Sequence, residues 1–376
     1  MTEQTELLPL GIHFGLPQDQ YLDDPGLGST QVKELNIDPL EYWWKSPMGP
    51  GVERKESDAM TFGTALHSIV LEGQGAFERL YSVAPRKSDY EGLLVTNDDM
   101  KEWLKARGHP TKGTKAVLID ALKEAGCSWP IWEDLIDAHR ADCEMRQVES
   151  LDAEVAEQLQ TRARVIHADP NVKTLLTDGF SEVSIFWEDA DGVRWKARVD
   201  YIRKQDQTDL KSFQNQFKEP IIKAITKRIT SLQGHIQARL HWSGVQAAKD
   251  MLLAHGDDAV FRHGKCLSPD EAWLIDFASM PPGPFYWIFA QSTDAPIVRA
   301  LKCPMSGVRQ IRDVDGNVTG TRTEVSEIWN DASLKISYAK KLWLDCKAKF
   351  IDGEAWMDLD AQHELNDWDF PPYIIG

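Results

Sequence analysis

Glu182, Asp200, Asp209 and Lys211 stand at spacings that could do chemistry. They lie in segments whose apolar residues alternate with a period of two, the pattern of strands, broken by turn signals at Asp189-Ala190-Asp191-Gly192 and around Lys204–Gln207. A three-residue loop, Ala190-Asp191-Gly192, puts glycine where left-handed backbone is needed; it pairs Asp189 with Val193 and, counting back, Glu182 with Asp200. An even-numbered second loop, such as Arg203–Asp206, sets Asp200 opposite Asp209, and alternation keeps Lys211 on the face of Asp209. One sheet face then presents all four groups, an arrangement that a single-residue slip would break. Clustered carboxylates repel unless a cation joins them, and hard oxygen donors at this density suit Mg²⁺, with Mn²⁺ as its substitute. A lysine beside them completes what phosphodiester hydrolysis needs: water positioned or deprotonated, and charge offset as it develops on the phosphate. An exposed sheet face with ordinary salt bridges is the other reading of the same spacing.

Longer motifs extend the pattern. The run Val199-Asp200…Asp209-Leu210-Lys211-Ser212 resembles the D…(D/E)XK signature of restriction-endonuclease-like nucleases. Upstream, Gly63-Thr64-Ala65-Leu66-His67-Ser68-Ile69-Val70-Leu71-Glu72 is similar to the GTxxHxxxLE helix of RecB-type and RecE-type (exonuclease VIII-like) nucleases. Downstream, His235-Ile236-Gln237-Ala238-Arg239-Leu240-His241 sits where that group carries a QxxxY helix, with His241 replacing the tyrosine. The segment Ser29-Thr30…Pro39-Leu40-Glu41-Tyr42-Trp43 resembles the opening of exonuclease VIII-like proteins, many of them phage-encoded.

This resemblance, spanning Tyr21 to Gln291, implies an α/β restriction-endonuclease-like core: a central mixed sheet flanked by helices, with a helical insertion. It implies His67, Asp200, Asp209 and the Leu210 carbonyl as metal ligands, Lys211 as the catalytic lysine, and Gln237 as a DNA contact. Glu182 would serve a second metal, and the role of His241 stays open. The implied activity is Mg²⁺-dependent exonucleolytic processing of linear duplex DNA ends for recombination. A ring-shaped homo-oligomer and a single-strand annealing recombinase partner would accompany it. An endonuclease and an end trimmer of the CRISPR-associated iron–sulfur kind are the rival enzymes. A non-catalytic DNA-end-binding protein is the rival from another class, although clustered acids facing phosphate gain a pure binder nothing.

Several elements must position these groups. Residues 1–60 read as an irregular arm punctuated by prolines, with a short helix at Ser29–Leu35 and Tyr42-Trp43-Trp44 anchoring it to the core. Residues 61–93 open the nuclease core with a helix over Phe62–Glu72. A helical insertion follows over 94–146, with helices at Asn97–Arg107 and Lys115–Ala125. It resembles a SAP-type helix–loop–helix in which Lys112 and Lys115 meet phosphate at a helix N-terminus, and a plain helical hairpin reads equally well. Residues 147–300 carry the catalytic motifs, one basic helix from Pro220 through Ala248, and an apolar strand over Pro284–Gln291. On that helix Lys223 and Lys227 share a face and line a DNA groove, whereas Arg239 points away from Gln237 and reads as solvated. Residues 301–376 form a C-terminal helical extension with a hairpin turn at Asp313–Asn317, a helix over Val325–Phe350, and a tail containing Pro371-Pro372.

Composition sets the outer limits. With 376 residues, 42% of them hydrophobic, the chain can bury a sizeable core. No run of apolar residues is long enough to span a bilayer, and the acidic start lacks a signal-peptide pattern, so the expected location is cytoplasmic. The five cysteines are dispersed without CxxC spacing, which argues against zinc or an iron–sulfur cluster. A net charge of −17 argues against a general polyanion binder. Locally the sign reverses: from Lys211 to Lys249 seven Lys and Arg stand against Glu219 alone. A positive groove beside the clustered acids would hold DNA locally without adhering to it everywhere.

Overall fold

The first strand is one that the sequence hides. In the computed structural model, which describes residues 7–50, 58–312, 318–351 and 353–357, Gly11–Phe14 forms β1, a fully buried four-residue strand. It is too short to show a period, and its partners lie far along the chain, so the expected irregular arm in fact contributes a strand to the sheet. Helices α1 (Gln18–Asp23), α2 (Ser29–Ile37) and α3 (Pro39–Lys45) follow. Pro39 opens α3 at its first turn, and the Asp38 carboxylate accepts the Leu40 N–H, so each caps what the other leaves open. Tyr42 and Trp43 are buried in the core, as an anchor must be, while Trp44 is exposed.

Two compact units then divide the chain: Ser57–Ala168, and the remainder. The Ser57–Ala168 unit is wider at both ends than the expected insertion. It contains α4 (Asp58–His67), which passes into a π-helical turn (Ser68–Glu72), then α5 (Gln74–Leu80) and β2 (Tyr81–Val83). Next come α6 (Asn97–Ala106), α7 (Lys115–Glu124), α8 (Trp132–Arg146), β3 (Glu149–Leu151) and α9 (Ala153–Ala168). A capping box opens α6: Thr96 Oγ1 accepts the Asp99 N–H, and Asp99 accepts the Thr96 N–H. Met100, Trp103 and Leu104 of α6 meet Leu118 and Leu122 of α7 in a small core of their own.

The other unit resumes with α10 (Pro170–Leu175) and the meander β4 (Gly179–Glu188), β5 (Arg194–Arg203) and β6 (Gln207–Phe213). Then follow α11 (Ile221–Ser231), α12 (Gly234–His255), β7 (Val260–Arg262), α13 (Glu271–Ser279), β8 (Phe285–Gln291) and β9 (Val298–Lys302). A ribbon of β10 (Ser306–Arg312) and β11 (Val318–Val325) precedes α14 (Glu327–Lys349). The C-terminal part is therefore not purely helical. The turn expected at Asp313–Asn317 and the tail with Pro371-Pro372 lie outside the described residues.

The seven strands of the main sheet run in the order β7-β1-β4-β5-β6-β8-β9. β1 is parallel to β7 and β6 to β8, and the other neighbours are antiparallel, giving the mixed α/β architecture expected. α12 lies across the sheet, and its Ile236, Leu240, Val245 and Leu252 share one core with Val183, Ile185, Ala197 and Val199. Burying each of these valine, leucine and isoleucine side chains contributes about 1.5–3 kcal/mol. Gly244 permits the close approach: a Cβ there would stand 3.0 Å from the Trp187 ring and 3.2 Å from the Ala197 Cβ.

The single basic helix expected over Pro220–Ala248 is two helices. Gln233 adopts φ 48°, left-handed backbone that ends one helix before Gly234 begins the next. Glutamine seldom occupies that region, so the break carries no sequence signal.

Candidate active site

The hairpins that position the acids follow from their turns. At the first, Asp189 N–H donates to the Val193 carbonyl and Gly192 takes φ 75°, which fixes the register Glu188↔Arg194 down to Gly179↔Arg203. Glu182 stands opposite Asp200 in that register, but the two do not form a ladder pair, because Glu182 adopts φ 53° between the pairs Ser181↔Tyr201 and Val183↔Val199. Left-handed backbone inside a strand is costly for glutamate, and such strain gathers where side chains must be aimed. At the second hairpin, Arg203 Nε holds Asp206 Oδ1 at 2.7 Å and the Arg203 N–H donates to the Asp206 carbonyl. The β5–β6 ladder is short, only Tyr201↔Thr208 and Ile202↔Gln207. Beyond it the Asp200 carboxylate bridges the strands, its Oδ2 accepting the Leu210 N–H at 2.8 Å. Asp200 and Asp209 are thus not a ladder pair, although the register points one toward the other.

Each acid has a distinct set of partners. Glu182 Oε2 accepts Arg198 Nε at 2.7 Å, and Arg198 is held in turn by the Leu16 carbonyl at 2.9 Å. Glu182 and Asp200 each offer a carboxylate oxygen within 4.8 Å of the other. Asp209 is fully buried, and its Oδ1 accepts both Lys211 Nζ at 2.6 Å and Gln237 Nε2 at 2.8 Å. Its Oδ2 is buried with no hydrogen-bond partner among the described residues. Repulsion among the carboxylates is therefore offset largely by the protein's own Arg198, Lys211 and Leu210 N–H. What stays uncompensated is one buried oxygen, a group that costs about 1–3 kcal/mol when left unsatisfied and that a hard cation would satisfy.

Burial works against the Lys211 ammonium, but Asp209 and Asp200 outweigh it and hold its pKa above that of ordinary lysine. Lys211 is thus a standing cation at neutral pH. His241, four residues along α12 from Gln237, is buried with its ring edge-on to Phe285. Burial lowers its pKa to about 4, against the pull of Asp209, so it is neutral, and its Nδ1 has no partner among the described residues.

The structure gathers Asp200, Asp209, Leu210, Lys211 and Gln237, with Glu182 across the hairpin and His241 behind. His67 closes α4 in the Ser57–Ala168 unit, where the helix widens into its π turn, and Lys112 and Lys115 belong to the same unit. Lys112 is exposed, and Lys115 forms an ion pair with Glu133. Lys223 and Lys227 do not stand open on a groove: both clamp Glu219, at 3.0 and 2.7 Å. The apparent positive run dissolves further, because Lys249 is buried on the Phe277 carbonyl and Lys211 is committed to Asp209. Arg239 is not solvated as expected. It lies between Trp242 and Trp329, 5.1 and 5.5 Å from the ring centres, with Nε on Ser333 Oγ at 3.0 Å.

Two nearby cations escaped the sequence reading. Arg198 is one; its period-two place on the strand of Asp200 was the available signal. Lys33 of α2 is the other, its pKa lowered to about 8 by burial and then by the Lys211 charge. No local pattern links it to residues nearly two hundred positions away.

Residues 44–251 match the family described as PDDEXK-like domain of unknown function (DUF3799), and the match takes in Asp200, Asp209 and Lys211. The chain belongs to this family. PDDEXK-like membership places it in the PD-(D/E)XK superfamily and agrees with the mixed sheet that carries the acids. A solved structure from Eubacterium rectale, described as "Putative exonuclease", is similar at 13% identity over 80% of this chain and 89% of that one. Its TM-score is 0.34, too low for the likeness to bear on function. No curated protein matches the chain.

Proposed function

We propose that this PDDEXK-like protein is a divalent-metal-dependent deoxyribonuclease that hydrolyses phosphodiesters at the ends of linear duplex DNA. The observation that carries the reading is Asp209: buried, tied on one oxygen to Lys211 and Gln237, and unsatisfied on the other beside Asp200. Asp200, Asp209 and the Leu210 carbonyl are the proposed ligands of Mg²⁺ or Mn²⁺, with His67 joining them on the strength of its motif and Glu182 serving a second ion. A bound divalent ion would supply Lewis-acid charge at the scissile phosphate. Lys211, held protonated by its acids, stabilises the charge that grows on the non-bridging oxygens, a role its raised pKa suits better than taking a proton from water. Gln237 fixes the Asp209 carboxylate and faces the substrate, with His241 closing the apolar back of the site. The preference for duplex ends, and a place in recombination, rest on the exonuclease VIII-like motifs.

End-labelled linear duplex and covalently closed circular DNA, incubated with Mg²⁺, Mn²⁺ or EDTA, test this directly. Linear DNA should be degraded with either metal and spared in EDTA, and closed circles should persist. Asp209→Ala should abolish cleavage while the protein still melts cooperatively, since a lost ligand removes several kcal/mol of transition-state stabilisation, about a thousandfold in rate. Retention of more than about a tenth of the activity would remove Asp209 from the site. Rapid linearisation of circles would replace the end-directed reading with an endonuclease.

A further inference from the structure

At one end of the main sheet, α12 and the strands leave a hollow of about 510 Å³. Leu10 just before β1, Glu188 at the end of β4 and Ala259 just before β7 all line it. The registers Gly11↔Phe186 and Ile12↔Val260 bring these three to the same edge. The place is remote from the acids described above. Glu188 is six residues from Glu182, about 20 Å along an extended strand. Met251, on the helical wall, is ten residues beyond His241, about 15 Å along α12.

The lining has two characters. Trp187, Ala247, Met251 and Leu10 make an apolar floor, and Glu188, Asp250 and Asp258 supply carboxylates, with His255 beside them and no lysine or arginine among the lining residues. Asp250 accepts a hydrogen bond from Gln246 Nε2 at 2.8 Å, and no described cation pairs with Glu188 or Asp258. These acids are not gathered tightly enough to chelate a metal ion, as they fall outside the one group of described residues spaced for that. Nucleic acid is repelled by them. An apolar floor under an anionic rim complements a side chain with a hydrocarbon stem and a cationic head. Asp258 and Ala259 lead directly into β7, the edge strand of the sheet, where an extended chain can lie alongside unpaired backbone groups.

We propose that this hollow receives a lysine or arginine side chain from an extended segment of a partner protein. The stem lies on Met251 and Trp187, and the head is shared among Glu188, Asp250 and Asp258. The site serves to hold this protein to that partner at the end of the sheet away from the acids, leaving the candidate active site open.

Fluorescein-labelled peptides of sequence Gly-Ser-Val-Arg-Val-Ser-Gly, and the same peptide with Gln for Arg, are titrated with the full-length protein by anisotropy. The Arg peptide should bind about tenfold or more tightly than the Gln peptide. Glu188→Gln combined with Asp258→Asn should erase that preference, and Met251→Arg, which fills the hollow with its own cation, should do the same. Thermal melts confirm folding, and the isosteric carboxylate variants keep the test open should Met251→Arg misfold. DNA cleavage by these variants should equal wild type, which separates this site from the proposed nuclease. Equal binding of the two peptides, no binding, or a preference that survives both sets of substitutions overturns the proposal. So does light scattering that shows a dimer lost in Glu188→Gln/Asp258→Asn, which would make the occupant a second copy of the chain.

Discussion

Gln237 and Arg239 show how differently two polar side chains of α12 are used. Gln237 touches Asp209 directly and is only half-buried, so Gln237→Ala should reduce metal-dependent turnover with little change in melting temperature. Arg239 is packed between two tryptophans and bonded to Ser333, so Arg239→Ala should cost about 1–3 kcal/mol of stability and leave per-molecule turnover nearly intact. Paired melts and rate measurements distinguish the two, and the opposite pattern would show that the helix is read in the wrong register. His13 carries a second expectation. It is fully buried, its Nε2 donating to the Pro9 carbonyl at 2.9 Å, which leaves Nδ1 of the neutral ring to accept from His263 Nε2 at 2.9 Å. Burial, helped by His263 and Arg194 and opposed by the Pro9 bond and Asp24, lowers its pKa from 6.5 to about 4. Between those values the unfolded chain binds a proton that the folded one refuses. Its contribution is therefore complete above pH 6.5 and is lost as the pH falls toward 4, by at most about 3 kcal/mol. Urea midpoints at pH 7, 5.5 and 4.5 should converge between wild type and His13→Gln at the acid end. At this scale the sequence showed the acids and Lys211 because their spacing is local. It could not show Arg239 between its tryptophans, because Trp329 comes from a helix ninety residues on.

Among the elements, the β4–β5–β6 meander was legible because its turns lie in the chain: Gly192 marks one hairpin, and the Arg203–Asp206 clamp closes the other. The break between α11 and α12 was not, since the left-handed residue is Gln233, and this misplaced the basic residues relative to one another. What α11 presents to solvent depends on one acid. Glu219 pairs with both Lys223 and Lys227, so Glu219→Gln should release two exposed ammonium groups. If α11 borders the DNA path, binding measured in Ca²⁺ should tighten, and its salt dependence should steepen by about one to two units in the log–log plot. An unchanged slope would take α11 off that path. The exposed pairs themselves are worth little to folding, so melting should hardly move.

Across the whole molecule, no described helix is long and apolar enough to cross a membrane, and family membership rests on residues 44–251. The mixed sheet could be expected from the motif resemblance but not all of its strands, since β1, β7 and β9 are too short to carry a period of their own. The segmentation was less legible, because the compact Ser57–Ala168 unit begins inside what reads as core and ends beyond the insertion. β1 bears a consequence for how the chain is made. It is inserted between β4 and β7, strands that follow it by about 170 and 250 residues. At roughly 5–20 residues per second, a ribosome exposes this apolar tetrapeptide about 10–30 s before its first neighbour exists. The meander can close on its own hairpins meanwhile, so pulse-labelled hydrogen exchange during refolding should protect β4 and β5 amides before those of Ile12 and Phe14. Although made before β4 and β7, β1 should thus be seated after β4 and β5 have paired, and until then the nascent chain carries a sheet with a vacant slot and a loose strand that fits it. That is the geometry of strand exchange between neighbouring polypeptides on one message.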